Sequence, residues 1–143
     1  MNRMIATVIF TLIAAPVFAE ADLEAGEQAF ARQCSTCHVV VDGEGTTLAG
    51  KNAKTGPNLY GLIGRNAGSV EGFRYGKSLV AAGESGLVWD ESLIAAYIQD
   101  PKAFLAEYLD DSKARSNMAF KVRKEEDATN LAAFLATFGA VTN

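Results

Sequence analysis

Cys34, Cys37 and His38 are the only thiols and the only imidazole in 143 residues, all within the segment RQCSTCHVV, residues 32–40. The stretch Cys34-Ser35-Thr36-Cys37-His38 fits C-x-x-C-H, the spacing of c-type haem attachment. Two thiols three positions apart can add to the two vinyl groups on one edge of a porphyrin, forming thioethers. The adjacent imidazole can then turn under the ring and bind iron. A further free thiol would compete for the porphyrin or form wrong disulfides, which accounts for there being no third cysteine. Other chemistries use the same residue types. A dithiol redox site usually follows a strand in a βαβ pattern, and no such pattern surrounds the motif. A zinc site needs four ligands where the motif offers three. A disulfide closing so short a loop would constrain the unfolded chain very little.

A second axial ligand is the next requirement. There is no second histidine, and Met118 is the only methionine beyond position 4. Lone methionines more often fill gaps in a core. Met118, however, lies in KARSNMAFKVRK, residues 113–124, a polar and basic stretch without helical periodicity. His38 with Met118 forms an axial pair used by c-type haems; a lysine ligand or an open sixth position is the alternative. With both positions filled by strong-field ligands, no substrate reaches the iron. The soft thioether favours the ferrous form, and an apolar pocket disfavours the extra charge of the ferric form. That is the chemistry of a one-electron carrier, not of an enzyme. An open-site haem enzyme such as a peroxidase is the main rival, and a thiol–disulfide oxidoreductase a distant third.

These residues need elements to hold them. The first residues read as an export leader: Arg3, an apolar run broken by Pro16, then small residues before Ala19. Cleavage is expected after Ala19, with Ala21 as the alternative, leaving residues 20–143 as one domain. The apolar stretch is shorter than the ~20 residues of a spanning helix, so no stable membrane insertion is expected. Helices are expected over residues 22–33, capped by Asp22 and ending at the motif, and over 90–99. A third starts at Asp100-Pro101, and a fourth spans 125–138 with Leu131, Phe134, Leu135 and Phe138 on one face. Residues 77–82 carry a weak helical signal. Between Val39 and Tyr75 eight glycines fall with neither helical nor alternating periodicity, which reads as long loops. So much irregular chain in a small domain needs a large group to organise it. The fold class is therefore all-α: several helices and long glycine-rich loops wrapped around one covalent haem c attached through Cys34 and Cys37.

Taken together, GEQAFARQCSTCH, TGPNLYGLIGR (residues 55–65), GFRYGKS and VWDE resemble the class I c-type cytochromes, most closely the bacterial cytochrome c2 type, over nearly the whole chain after the leader. The resemblance implies that Pro57 offers its carbonyl to the His38 ring and that Arg65 sits near a haem propionate. It also implies that Tyr75 and Trp89 donate hydrogen bonds to propionates, that Tyr97 lies close to Met118, and that Phe120 covers the haem edge. Simple core packing is the plain alternative for these aromatics. It further implies a monomeric periplasmic carrier taking electrons from a cytochrome bc-type complex to a photosynthetic reaction centre or a terminal oxidase. A different periplasmic oxidoreductase is the alternative acceptor. The segments between His38 and Pro57 and between Pro101 and Met118 are longer than in mitochondrial members, and Asn117 stands where a lysine is usual.

Charge bears on the partner. The chain is acidic, with 13 basic and 17 acidic residues, which argues against a nucleic-acid binder. Residues 112–124 nonetheless contain Lys113, Arg115, Lys121, Arg123 and Lys124 and no acid. An ordinary solvated charge run explains this equally well. The alternative is a basic face on an acidic body, oriented toward transient acidic redox partners and speeding their encounter at low salt.

Overall fold

The computed structural model describes residues 20–139. The expected leader, residues 1–19, lies outside them. Five helices follow in order: α1 (Leu23–Gln33), α2 (Lys77–Glu84), α3 (Glu91–Gln99), α4 (Pro101–Tyr108) and α5 (Glu125–Ala136). The caps read from the sequence are in place. Asp22 accepts from Ala25 N at 2.9 Å, and Asp100, followed by Pro101, accepts from Ala103 N at 3.1 Å. Each satisfies one of the donors a helix start leaves orphaned. Helix α5 has no side-chain cap, but Glu125, Glu126 and Asp127 fill its first turn, where the helix dipole favours negative charge.

Two boundaries differ from the sequence reading. The weak helical signal from residue 77 extends to Glu84, and the last helix stops at Ala136, leaving Phe138 beyond its end. A larger difference lies in the glycine-rich middle. Residues expected to be loop throughout contain a short antiparallel pair, β1 (Val40–Val41) and β2 (Thr47–Ala49), in which Val40 faces Ala49 across the ladder. The turn between them is built by Asp42, whose Oδ1 accepts from Glu44 N at 3.0 Å and Thr46 N at 2.8 Å, and by Gly45 at φ +84°. Strands this short carry no usable alternation, so periodicity could not announce them.

Helices α1 and α5 cross closely, and α3 packs on α5. Gly26 is the crossing point: a Cβ there would meet the Asn130 carbonyl oxygen at 2.2 Å. Phe30 packs on Phe134 with ring centroids 5.8 Å apart, the Asp22 N–H donates to Asn130 Oδ1 at 2.9 Å, and Gln33 Nε2 donates to Asp127 at 3.1 Å. Phe30 and Leu131 are fully buried. Such burial contributes about 1.5–3 kcal/mol per side chain. On the other side Trp89, Tyr97 and Phe104 form a ring cluster with centroids 5.1 to 6.0 Å apart, joining α3 to α4.

Candidate functional site

The C-terminus of α1 sets the motif. The Cys34 and Ser35 N–H groups both donate to the Phe30 carbonyl, and those of Cys37 and His38 both donate to the Cys34 carbonyl, at 2.9 to 3.0 Å. The helix thus continues as tight turns that carry both cysteines and His38 into one wall of a cavity of about 600 Å³. This is within the size range of small-molecule and cofactor pockets. Leucines and isoleucines from α2, α3, α5 and the central loops contribute apolar parts of the remaining wall.

The His38 ring is fixed from behind. Its Nδ1 lies 3.0 Å from the Pro57 carbonyl, and since a carbonyl only accepts, Nδ1 carries the proton and Nε2 keeps its lone pair. Burial pulls the imidazole below its ordinary pKa, opposed by the Pro57 hydrogen bond, so the ring is neutral near pH 7. The Pro57 loop is tied in turn. Gly56 N donates to the Cys37 carbonyl at 2.7 Å. Asn58 accepts from Val41 N and Tyr60 N and donates to the Val41 carbonyl. Arg65 donates to the carbonyls of Tyr60 at 2.9 Å and Asn58 at 3.2 Å.

All ten residues singled out from the sequence line this one cavity: Cys34, Cys37, His38, Pro57, Arg65, Tyr75, Trp89, Tyr97, Met118 and Phe120. Two carry qualifications. Arg65 spends two of its five donors on backbone carbonyls, so it braces the loop as well as facing the cavity. Phe120 is 48% exposed, placed at a rim and not in a core.

Sequence reasoning missed three residues. Gly56 leaves room for the imidazole: a Cβ there would come within 2.3 Å of His38 Cε1. Asn58 joins the hairpin to the Pro57 loop. Ser116 holds the methionine loop, its Oγ accepting from Met118 N at 3.1 Å and lying 3.3 Å from the Tyr97 hydroxyl. A serine two residues before the bonded N–H is a recognisable turn signature and could have flagged Ser116. The same loop is pinned by Arg115 N donating to Ser78 Oγ at 3.0 Å and Val122 N to the Ile98 carbonyl at 2.8 Å.

The donor set fits a haem. Two adjacent thiols, a neutral imidazole with a free nitrogen and a thioether share one apolar cavity. Burial, reinforced by neighbouring Cys37, pushes the Cys34 thiol up to about 12. A dithiol oxidoreductase needs the opposite, a stabilised thiolate. Among the described residues no cluster of three or more histidine, cysteine or acidic side chains could hold a metal ion.

Known proteins agree. No family model matches the chain. The chain is similar to cytochrome c2 of Rhodovulum adriaticum, 59% identical over 118 residues that cover 82% of this chain and 93% of that one. It is also similar to cytochrome c-551 of Roseobacter denitrificans, 53% identical over 96% of both chains. The crystal structure of cytochrome c2 from Rhodobacter sphaeroides superimposes with a TM-score of 0.82 at 52% identity, covering 86% of this chain and all of that one. The chain therefore belongs to the cytochrome c2 family of class I c-type cytochromes: an electron carrier and not an enzyme, with one haem c bound covalently through Cys34 and Cys37.

Proposed function

We propose that this cytochrome is a monomeric periplasmic carrier whose haem iron is ligated by His38 and Met118. It would take electrons from a cytochrome bc-type complex to a photosynthetic reaction centre or terminal oxidase. The observation that carries the ligation is that His38 and Met118, the only histidine and the only methionine among the described residues, line the same cavity. The bound haem supplies reversible one-electron exchange at its iron. The chain's residues set the conditions for it. Pro57 holds the His38 tautomer, and Ser116 holds the Met118 backbone. The leucine and isoleucine walls keep water out, which disfavours added positive charge. Arg65, Tyr75 and Trp89 present donors to the cavity for the propionates.

Docking is assigned to the basic face. Lys113, Arg115, Lys121, Arg123 and Lys124 are all exposed. Lys121 is already engaged, its ammonium 2.6 Å from Asp100, so the face offers fewer free charges there than the sequence suggests. Among the described residues no helix is long and apolar enough to cross a membrane.

The test is the visible spectrum of the haem-loaded protein, oxidised and reduced, with Met118→Ala beside it. Low-spin bands with the weak far-red band of thioether-ligated ferric haem, lost in the variant, are the expected result. A high-spin native spectrum, or a far-red band that survives in Met118→Ala, would overturn the ligation.

A further inference from the structure

The end of α3 grips both limbs of the methionine loop. On the incoming limb, the Tyr97 hydroxyl lies 3.3 Å from Ser116 Oγ, which accepts from Met118 N at 3.1 Å. On the outgoing limb, the Ile98 carbonyl accepts from Val122 N at 2.8 Å, and the Asp100 carboxylate meets the Lys121 ammonium at 2.6 Å. That contact is the single ion pair among the described residues. Between Met118 and Lys121 stand only Ala119 and Phe120, both exposed, and the first buried side chain after the methionine is Val122. Lys121 is thus the first side chain to tie the outgoing limb to the rest of the fold. Its partner is already held in place. Asp100 Oδ1 accepts from Ala103 N at 3.1 Å in the first turn of α4, which leaves Oδ2 turned to Lys121. The pair therefore orders one long side chain and not two, which lowers the entropy cost that cancels most surface ion pairs.

We infer that Asp100 is a positioning residue for Met118, acting through Lys121 to keep the methionine loop closed over the cavity; the inference rests on the proposed Met118 ligation. An outside ligand reaches the iron only in the fraction of molecules whose loop is open, so its apparent affinity reports that fraction. By favouring the closed loop, Asp100 keeps small ligands off the sixth position and the haem an electron carrier. A tether and a simple charge effect are separated by sign. Asp100→Asn removes a negative charge and Lys121→Gln a positive one, so an effect of their fields on the iron would move the two variants in opposite directions. Loss of the tether moves both the same way. Asparagine also caps helices, so α4 keeps its start in the first variant.

The test is optical titration of the ferric, haem-loaded protein with imidazole, a neutral ligand that must displace Met118 to bind. Apparent affinity is expected to rise about two- to fivefold in Asp100→Asn and by a similar factor in Lys121→Gln. The double variant should match either single one, because both remove the same interaction. Lys102→Gln, which removes a charge from the first turn of α4 without touching the pair, should bind imidazole as the native protein does. Variants at 100 and 121 that bind imidazole no better than the native protein, or that shift in opposite directions, overturn the inference. Factors that multiply in the double variant, or an equal rise in Lys102→Gln, overturn it too. A native ferric spectrum without the far-red band overturns the Met118 ligation, and this inference with it. A native band with unmoved variants overturns the inference alone and leaves the ligation standing.

Discussion

At His38, one missing methyl group matters as much as the ring itself. The imidazole lies where a side chain at position 56 would have to be, with 2.3 Å between an added Cβ and Cε1. Gly56→Ala must therefore push the ring off the Pro57 carbonyl or move the loop. We expect a loss of about 1–3 kcal/mol of stability, read by denaturant titration. A high-spin component should appear in the ferric spectrum while both thioethers still form. A fully low-spin variant of native stability would mean the loop yields without cost. Cys34, Cys37, His38 and Met118 stood out by spacing and scarcity alone, and the four line one cavity. Gly56 did not stand out, because its constraint arises from the approach of a ring eighteen positions earlier in the chain, which no local pattern encodes.

Helices were more legible at their starts than at their ends. Asp22 and Asp100 announced α1 and α4 because a capping carboxylate acts within three residues. The β1–β2 hairpin was hidden because its strands are too short to alternate. The α1–α5 crossing depends on Gly26, and Gly26→Ala would set a methyl group 2.2 Å from the Asn130 carbonyl. Separating the helices should cost about 1–3 kcal/mol, visible as a lower denaturation midpoint with an unchanged spectrum in the residual folded fraction. Asp100 links two elements, capping α4 and pairing with Lys121 on the methionine loop. Lys121, then the Ala103 N–H, hold its carboxyl below the ordinary carboxylate range. A depressed folded-state pKa gives stability that is present above the unfolded pKa and lost as pH falls through the folded value. Asp100→Asn keeps a capping oxygen but no charge. Its deficit relative to the native protein should be full near neutral pH and shrink as pH falls through the ordinary carboxylate range and below it. Thermal melts across that range check this, and a constant deficit would show that the charge contributes nothing.

Over the whole molecule, charge is divided unevenly: a basic methionine loop on a chain with net charge −4. Composition revealed the imbalance. It could not reveal that Lys102, far from the run in sequence, joins it in space, or that Lys121 is tied down. Replacing Arg123 and Lys124 by Glu should slow association with an acidic redox partner about tenfold at low salt and flatten its dependence on ionic strength. Stopped-flow electron transfer at several salt concentrations measures this. Rates that do not change would place docking elsewhere. The resemblance to known cytochromes singled out residues that line one cavity, because the motifs that carry it survive in recognisable order. It was silent on Ser116 and Asn58, which act on backbone groups and not on the haem.

The hydrogen bond between Asp22 and Asn130 joins positions 108 apart in sequence. Closing a loop of that length costs on the order of 4 kcal/mol of chain entropy beyond a fixed term. The helices that close it also supply cavity wall, Cys34 at the end of α1 and Leu131 and Leu135 on α5. Gathering the ends and enclosing the haem are thus one cooperative event, with the entropy of the first offset by the binding free energy of the second. Amide-exchange protection in α1 and α5 would then report how firmly the centre of the molecule is held, although those helices form its two ends.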